Sequence, residues 1–236
     1  MDLKQPLPYE KQIQKLLEHG LIINNHAFAE EILSQVNYYR LTGYGVQFRK
    51  KPNASDFLPG TDIKTLYSIY LFDQEMRGLL LTYLDIIEAL FRTRISYYAS
   101  LKLCNTPPYN QHYDPSNYFN KSTFNSIMTA LEREHNYNCD TLIIKHHDQN
   151  YSGQMPLWVG VNIMSFSNLS KYYTCLPYNI QKQIAQSVES HHAALKNHLH
   201  ALSVVRNKCA HGGRLYNVKF NPPVKLERSF LKKIRQ

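Results

Sequence analysis

Between Ile63 and Leu101, apolar side chains recur at Leu66, Ile69, Phe72, Met76, Leu79, Leu80, Tyr83, Ile86, Ile87, Leu90 and Phe91. Steps of three and four sustained over that many residues suit a helix and no other regular element. The stretch is therefore helical, either as one helix or as two broken near Gly78. Shorter patterns of the same period occur elsewhere. Ile13, Leu16 and Leu17 mark a helix over 9–19 that stops at Gly20, a suitable C′ residue, and Phe28, Ile32, Leu33 and Val36 mark another over 26–37. Further helices are expected at about 123–135, in the apolar run that opens at Pro156, and as one long final helix over about 179–211. Residues 52–60 and 104–122 read as loops, and 136–155 as a polar region. No segment alternates like a strand, so the predicted class is an all-α helical bundle.

Composition narrows the function classes. The longest apolar stretch, 78–91, is interrupted by Asp85 and Glu88, well short of the roughly 18–20 apolar residues of a membrane span. The first residues, Met-Asp-Leu-Lys-Gln-Pro, carry no secretory h-region. A soluble, cytoplasmic protein with no membrane partner is expected. The four cysteines form no CxxC pair, and none of the eleven histidines sits in an HExxH arrangement. No metal and no cofactor is therefore expected.

The net charge of +9 is concentrated at one end. From Val204 to Gln236 there are nine Lys or Arg against the single acid Glu227, whereas the other 203 residues are nearly balanced. Such a field favours a polyanion, nucleic acid being the commonest in cytoplasm, or else serves solubility as a solvated basic tail.

That basic region begins with Val-Val-Arg-Asn-Lys-Cys-Ala-His-Gly-Gly-Arg-Leu-Tyr-Asn, 204–217, at the end of the final apolar pattern. At about 100° per residue Arg206 borders the buried stripe, and Asn207 and His211 share a face as an i, i+4 pair. An arginine, an amide and an imidazole at one helix end suit RNA cleavage without metal. The 2′-hydroxyl must lose a proton, the leaving 5′-oxygen must gain one, and the phosphorane charge needs a cation. The same residues also suit a plain C-terminal cap, with Arg and His bonding terminal carbonyls before a glycine stop.

Arg206-Asn207-Lys208-Cys209-Ala210-His211 has the Arg-Asn-x-x-x-His form of the HEPN superfamily motif. The longer string through Asn217 resembles the C-terminal signature of the Abi-like (AbiD/AbiF) abortive-infection family within that superfamily. Three further segments are similar in the same order. They are Gly20-Leu-Ile-Ile with Tyr38-Tyr-Arg-Leu-Thr-Gly-Tyr44, then Phe72-Asp through Glu88 to Arg92-Thr-Arg94, and Met155-Pro-Leu-Trp-Val159 with Ser165-Phe-Ser-Asn-Leu-Ser170. Ser167 stands where the family usually carries glycine.

The resemblance implies an HEPN-type bundle over 61–220, a small N-terminal helical extension over 1–60 and a basic tail over 221–236. It implies a metal-independent endoribonuclease of bacterial phage defence or toxin-type growth arrest, acting as a homodimer, with an antitoxin protein or small RNA as a further partner left open. A non-catalytic RNA-binding HEPN module is the alternative. Arg206, His211 and Asn207 are the candidate catalytic residues. Lys208, Arg214, Tyr216, Tyr39 and Arg40 are the candidate RNA contacts. Glu88 and Arg92 form either an ordinary surface ion pair or a polar pair facing the motif. Tyr38, Tyr39, Arg40 and Tyr44 either stack on single-stranded RNA or pin the N-terminal helices.

Overall fold

A computed structural model describes residues 3–51 and 54–225. The basic residues Arg228, Lys232, Lys233 and Arg235 of the expected tail lie outside the described residues. The fold is all-α. Ten α-helices occur among the described residues, and no strand beyond two isolated bridges, Ile22 with Asp62 and Arg49 with Phe57. In chain order the helices are α1 (Tyr9–Glu18), α2 (His26–Gln35), α3 (Tyr38–Gly43), α4 (Ile63–Leu103), α5 (Lys121–Tyr137), α6 (Leu142–Tyr151), α7 (Leu157–Ile163), α8 (Phe166–Cys175), α9 (Tyr178–Gln186) and α10 (His192–Ala210). Among the described residues no helix is long and apolar enough to cross a membrane.

The long central pattern makes one helix. α4 runs 41 residues without a break at Gly78, about 60 Å at 1.5 Å per residue. The final pattern, in contrast, divides into α9 and α10. The break comes at Glu189, which takes the left-handed conformation at φ 53°. There the amide of Ser190 bonds the carbonyl of Ala185 at 2.9 Å, and that of Glu189 bonds Gln186 at 3.1 Å. These are the paired bonds of a Schellman stop, after which His191 Nδ1 caps α10 by accepting from the Ala193 amide. Three helices escaped the periodicity: α3, built from the Tyr-Tyr-Arg run, α6, whose aliphatic residues are confined to its first turn, and α8, which lies beyond the apolar run that opens at Pro156.

The described residues form two compact units, one within 1–79 together with 214–218, the other within 80–213 together with the described part of 219–236. In the first, α1, α2, α3 and the start of α4 bury Leu16, Leu21, Ile32, Leu41, Phe57 and Leu66. Gly20 ends α1 at φ 80°, with the Leu21 amide bonding Leu16 and its own bonding Leu17. A side chain there would strain the left-handed turn.

In the second unit, α8 packs against both α5 and α10. It contributes Phe166, Leu169, Tyr172 and Tyr173 to the core. Asn120 and Ser165 cap α5 and α8 by accepting from the amides of Thr123 and Asn168. His112 is also buried here. Its Nε2 donates to the Met155 carbonyl at 3.0 Å and its Nδ1 meets the Cys104 thiol at 3.2 Å.

Burial pushes the His112 imidazole down to about 4 from its ordinary 6.5. The unfolded chain therefore binds this proton at a higher pH than the folded one. Stability from the neutral ring is complete above about pH 6.5 and is lost as pH falls from there toward 4, up to about 3 kcal/mol. Urea midpoints measured from pH 7 to 4.5 should fall with acid in the native chain and fall less steeply in His112→Gln. Equal slopes would remove His112 as the cause.

Candidate active site

The last turn of α10 carries the Arg-Asn-x-x-x-His residues. α10 ends in another Schellman stop, with Gly212 at φ 65°, its amide bonding Cys209 and the Gly213 amide bonding Lys208 at 2.6 Å. The left-handed residue is glycine as the turn prefers, and a Cβ on Gly213 would sit 3.2 Å from the Lys208 carbonyl. This stop leaves His211 as the C-cap residue, its backbone amide bonded to Asn207 at 3.0 Å and its side chain exposed. Among the described residues the His211 ring has no hydrogen-bond partner in the protein.

Arg206 points toward α4. Its Nε donates to Glu88 Oε2 at 3.2 Å. The other carboxylate oxygen of Glu88, Oε1, accepts from Arg92, one turn further along α4, and Arg92 also donates to the Val161 carbonyl of α7. Of the two readings of Glu88 and Arg92, the polar pair facing the motif is the one the fold adopts. The Glu88 residue is 7% exposed, and a carboxylate so far from water is tolerated only because two guanidinium groups meet it. The Arg206 side chain itself remains 37% exposed. With Nε held by Glu88, its two terminal nitrogens bond no protein group among the described residues.

Asn207 turns toward α8. Its Nδ2 donates to Ser167 Oγ at 3.0 Å, so Ser167 touches the motif directly. The three motif residues therefore diverge, with Arg206 on α4, Asn207 on α8 and His211 in solvent. Lys208 lies with its Nζ 5.9 Å from the Phe220 ring centre.

The remaining sequence candidates belong to the first unit. The Arg214 guanidinium donates to the Gly43 carbonyl and lies 6.0 Å from the Tyr44 ring. The Tyr216 hydroxyl accepts from Gln47 at 3.2 Å, and its ring meets Phe72 edge-on. Both backbone amides of Leu215 and Tyr216 donate to Asp73, at 3.0 and 2.6 Å to Oδ1. Asp73 is fully buried and also accepts from Arg77 and from the Tyr44 hydroxyl.

Of the tyrosine group, Tyr44 thus pins the fold at 2% exposure and is closed to stacking, whereas Tyr39 is 66% exposed. Arg40 lies 5.7 Å from the Tyr70 ring centre. Sequence reasoning missed the clasp made by Asp73 and Arg77, whose only local signal is an i, i+4 acid–base pair that exposed helices share.

Among the described residues no three His, Cys, Asp or Glu side chains converge to hold a metal ion. Comparison with curated proteins and with solved structures gives no match. The family model for Abi-like proteins matches residues 31–217. That span takes in the Tyr38–Tyr44 run, Asp73, the Glu88–Arg92 pair and the whole of 204–217. With well over half of its length matched, the chain belongs to the Abi-like protein family.

Proposed function

We propose that this protein is an endoribonuclease of the HEPN type acting in abortive infection or growth arrest. It cleaves RNA by attack of a 2′-hydroxyl on the adjacent phosphorus, without a metal ion. The observation that carries this reading is the Arg206–Glu88–Arg92 cluster, with an exposed His211 at the C-terminal end of the helix that bears Arg206. Glu88 binds the Nε side of Arg206, and among the described residues no protein group bonds its terminal nitrogens. That edge of a guanidinium suits a phosphate in two parallel hydrogen bonds. His211, unburied and near the same helix end, is of the right chemical type to move a proton at neutral pH.

One chain offers one imidazole here, and cleavage requires a base on one side of phosphorus and an acid on the other. Two chains related by a two-fold axis supply both. Arg206 has its charged partner, Glu88, in its own chain and so supplies no argument for a dimer. The support comes instead from α4, where Tyr83, Ile86, Leu90, Tyr97 and Leu101 are each 40–62% exposed. These five fall at steps of three, four and seven on the face turned away from Leu84, Phe91, Ile95 and Ala99, which are buried. An exposed apolar stripe in coiled-coil register suits a second copy of itself.

The unoriented His211 ring favours a second reading, a module that binds RNA without cutting it, because catalytic imidazoles are usually held by a neighbour. The experiment that separates the two is incubation with RNA in EDTA, followed by analysis of the ends. The expected products carry 2′,3′-cyclic phosphate and 5′-hydroxyl. Cleavage that stops on chelation and returns with a divalent ion would overturn the mechanism. Retention of intact RNA would establish the binding module.

A further inference from the structure

We infer that a cleft between the 108–110 segment, α6 and α7 is a nucleobase pocket. It rests on the reading of the protein as one that handles RNA, and it assigns the place where a base of that RNA is read. The cleft has a volume of about 750 Å3, within the roughly 300–1,000 Å3 of small-ligand sites. Tyr109, Tyr151 and Trp158 line it and are 57, 57 and 56% exposed. Large aromatic rings left in solvent inside a concavity offer faces on which a planar ring stacks. Tyr109 is held there in the left-handed region, at φ 61°, a conformation disfavoured for a bulky side chain.

The polar groups of the cleft specify the ligand further. No Lys, Arg, Asp or Glu lines it, and its only ionisable groups besides tyrosine are the imidazoles of His146 and His147, so the lining carries no permanent charge with which to hold a phosphate. Asn162 Nδ2 donates to the Trp158 carbonyl at 2.9 Å, which leaves Asn162 Oδ1 as an acceptor. Gln154 Oε1 accepts from Asn110 at 3.2 Å, which leaves Gln154 Nε2 as a donor. Stacking faces together with a spare amide donor and a spare amide acceptor are what a base needs along its Watson–Crick or Hoogsteen edge. The cleft is also tied to the arginine cluster. Trp158 and Asn162 lie on α7, and the Val161 carbonyl of the same helix accepts from Arg92, which pairs with Glu88.

The base could come from an RNA strand or from a free nucleotide, and the two are separable. Trp158 is the single tryptophan of the chain, so fluorescence excited on the red edge of the tryptophan band, beyond tyrosine absorption, reports from this cleft. The full-length His211→Ala chain, chosen to keep RNA intact, is titrated with a 12-nucleotide single-stranded RNA and with each ribonucleoside 5′-monophosphate. Filter binding is run in parallel. Saturable, base-dependent quenching is expected, weakened about tenfold in Tyr109→Ala and Tyr151→Ala at unchanged melting temperature.

Quenching by the RNA at much lower concentration than by monophosphates identifies a strand, and equal quenching identifies a free nucleotide. RNA retained on the filter with Trp158 fluorescence unchanged and monophosphates silent would overturn the pocket while leaving the nuclease reading intact. Monophosphate quenching without RNA retention would sustain the pocket and count against the nuclease.

Discussion

A His211→Ala chain is expected to cleave RNA about a thousandfold more slowly than the native chain, while unfolding at the same temperature and retaining RNA. The first part follows from the usual worth of a positioned acid or base, roughly 10²- to 10⁴-fold. The second follows from the site. His211 is an exposed C-cap residue whose ring bonds nothing among the described residues, and its structural bond, amide to Asn207 carbonyl, is kept by alanine. Arg206→Ala should lose as much activity but also stability, because Glu88 would be left with Arg92 alone. Mixed chains extend the test. If two imidazoles share one phosphate, adding His211→Ala chains to native ones should pull activity well below the fraction of native chain present. Native-level cleavage by His211→Ala would exclude the imidazole from the reaction.

The largest loss of stability is expected at Asp73, a residue with no part in the proposed chemistry. Its buried carboxylate gathers Arg77, the Tyr44 hydroxyl and the amides of Leu215 and Tyr216. Asp73→Ala leaves the buried Arg77 guanidinium without its counter-ion and two amides without an acceptor, a cost of about 3–5 kcal/mol. Against a typical total of about 5–15 kcal/mol that change is close to unfolding. Tyr44→Phe removes one donor and should cost about 1 kcal/mol. Urea denaturation followed by circular dichroism measures both. A loss under 1 kcal/mol for Asp73→Ala would mean that the carboxylate does not organise this region.

The parts of the fold legible in the sequence are those that local physics decides. Gly20 and Gly212 mark helix ends because the left-handed turn they make is open to glycine, and the apolar spacing of α4 outlasts the weak helix former Gly78. The break between α9 and α10 was hidden because Glu189 takes the position where glycine would have signalled it. α6 was hidden because a helix with three apolar residues and then His, Asp, Gln and Asn reads as polar loop. The site follows the same rule. The Arg-Asn-x-x-x-His spacing is local and visible, whereas Glu88 lies more than a hundred residues from Arg206 and looks like any surface partner of Arg92. Ser167 gave no hint of touching Asn207, since only the packing of α8 on α10 brings them together.

The Asp73 clasp also has a consequence in time. The first compact unit is built from residues 1–79, but its closing segment is 214–218. On a ribosome adding about 5–20 residues per second, the intervening stretch takes on the order of ten seconds to synthesise. Throughout that interval a nascent chain holds Asp73 and Arg77 without the amides of Leu215 and Tyr216. The Asp73 clasp is therefore closed only after the helix bearing Arg206 and His211 has been made, so the first unit reaches its full stability only once residues 214–218 have been added.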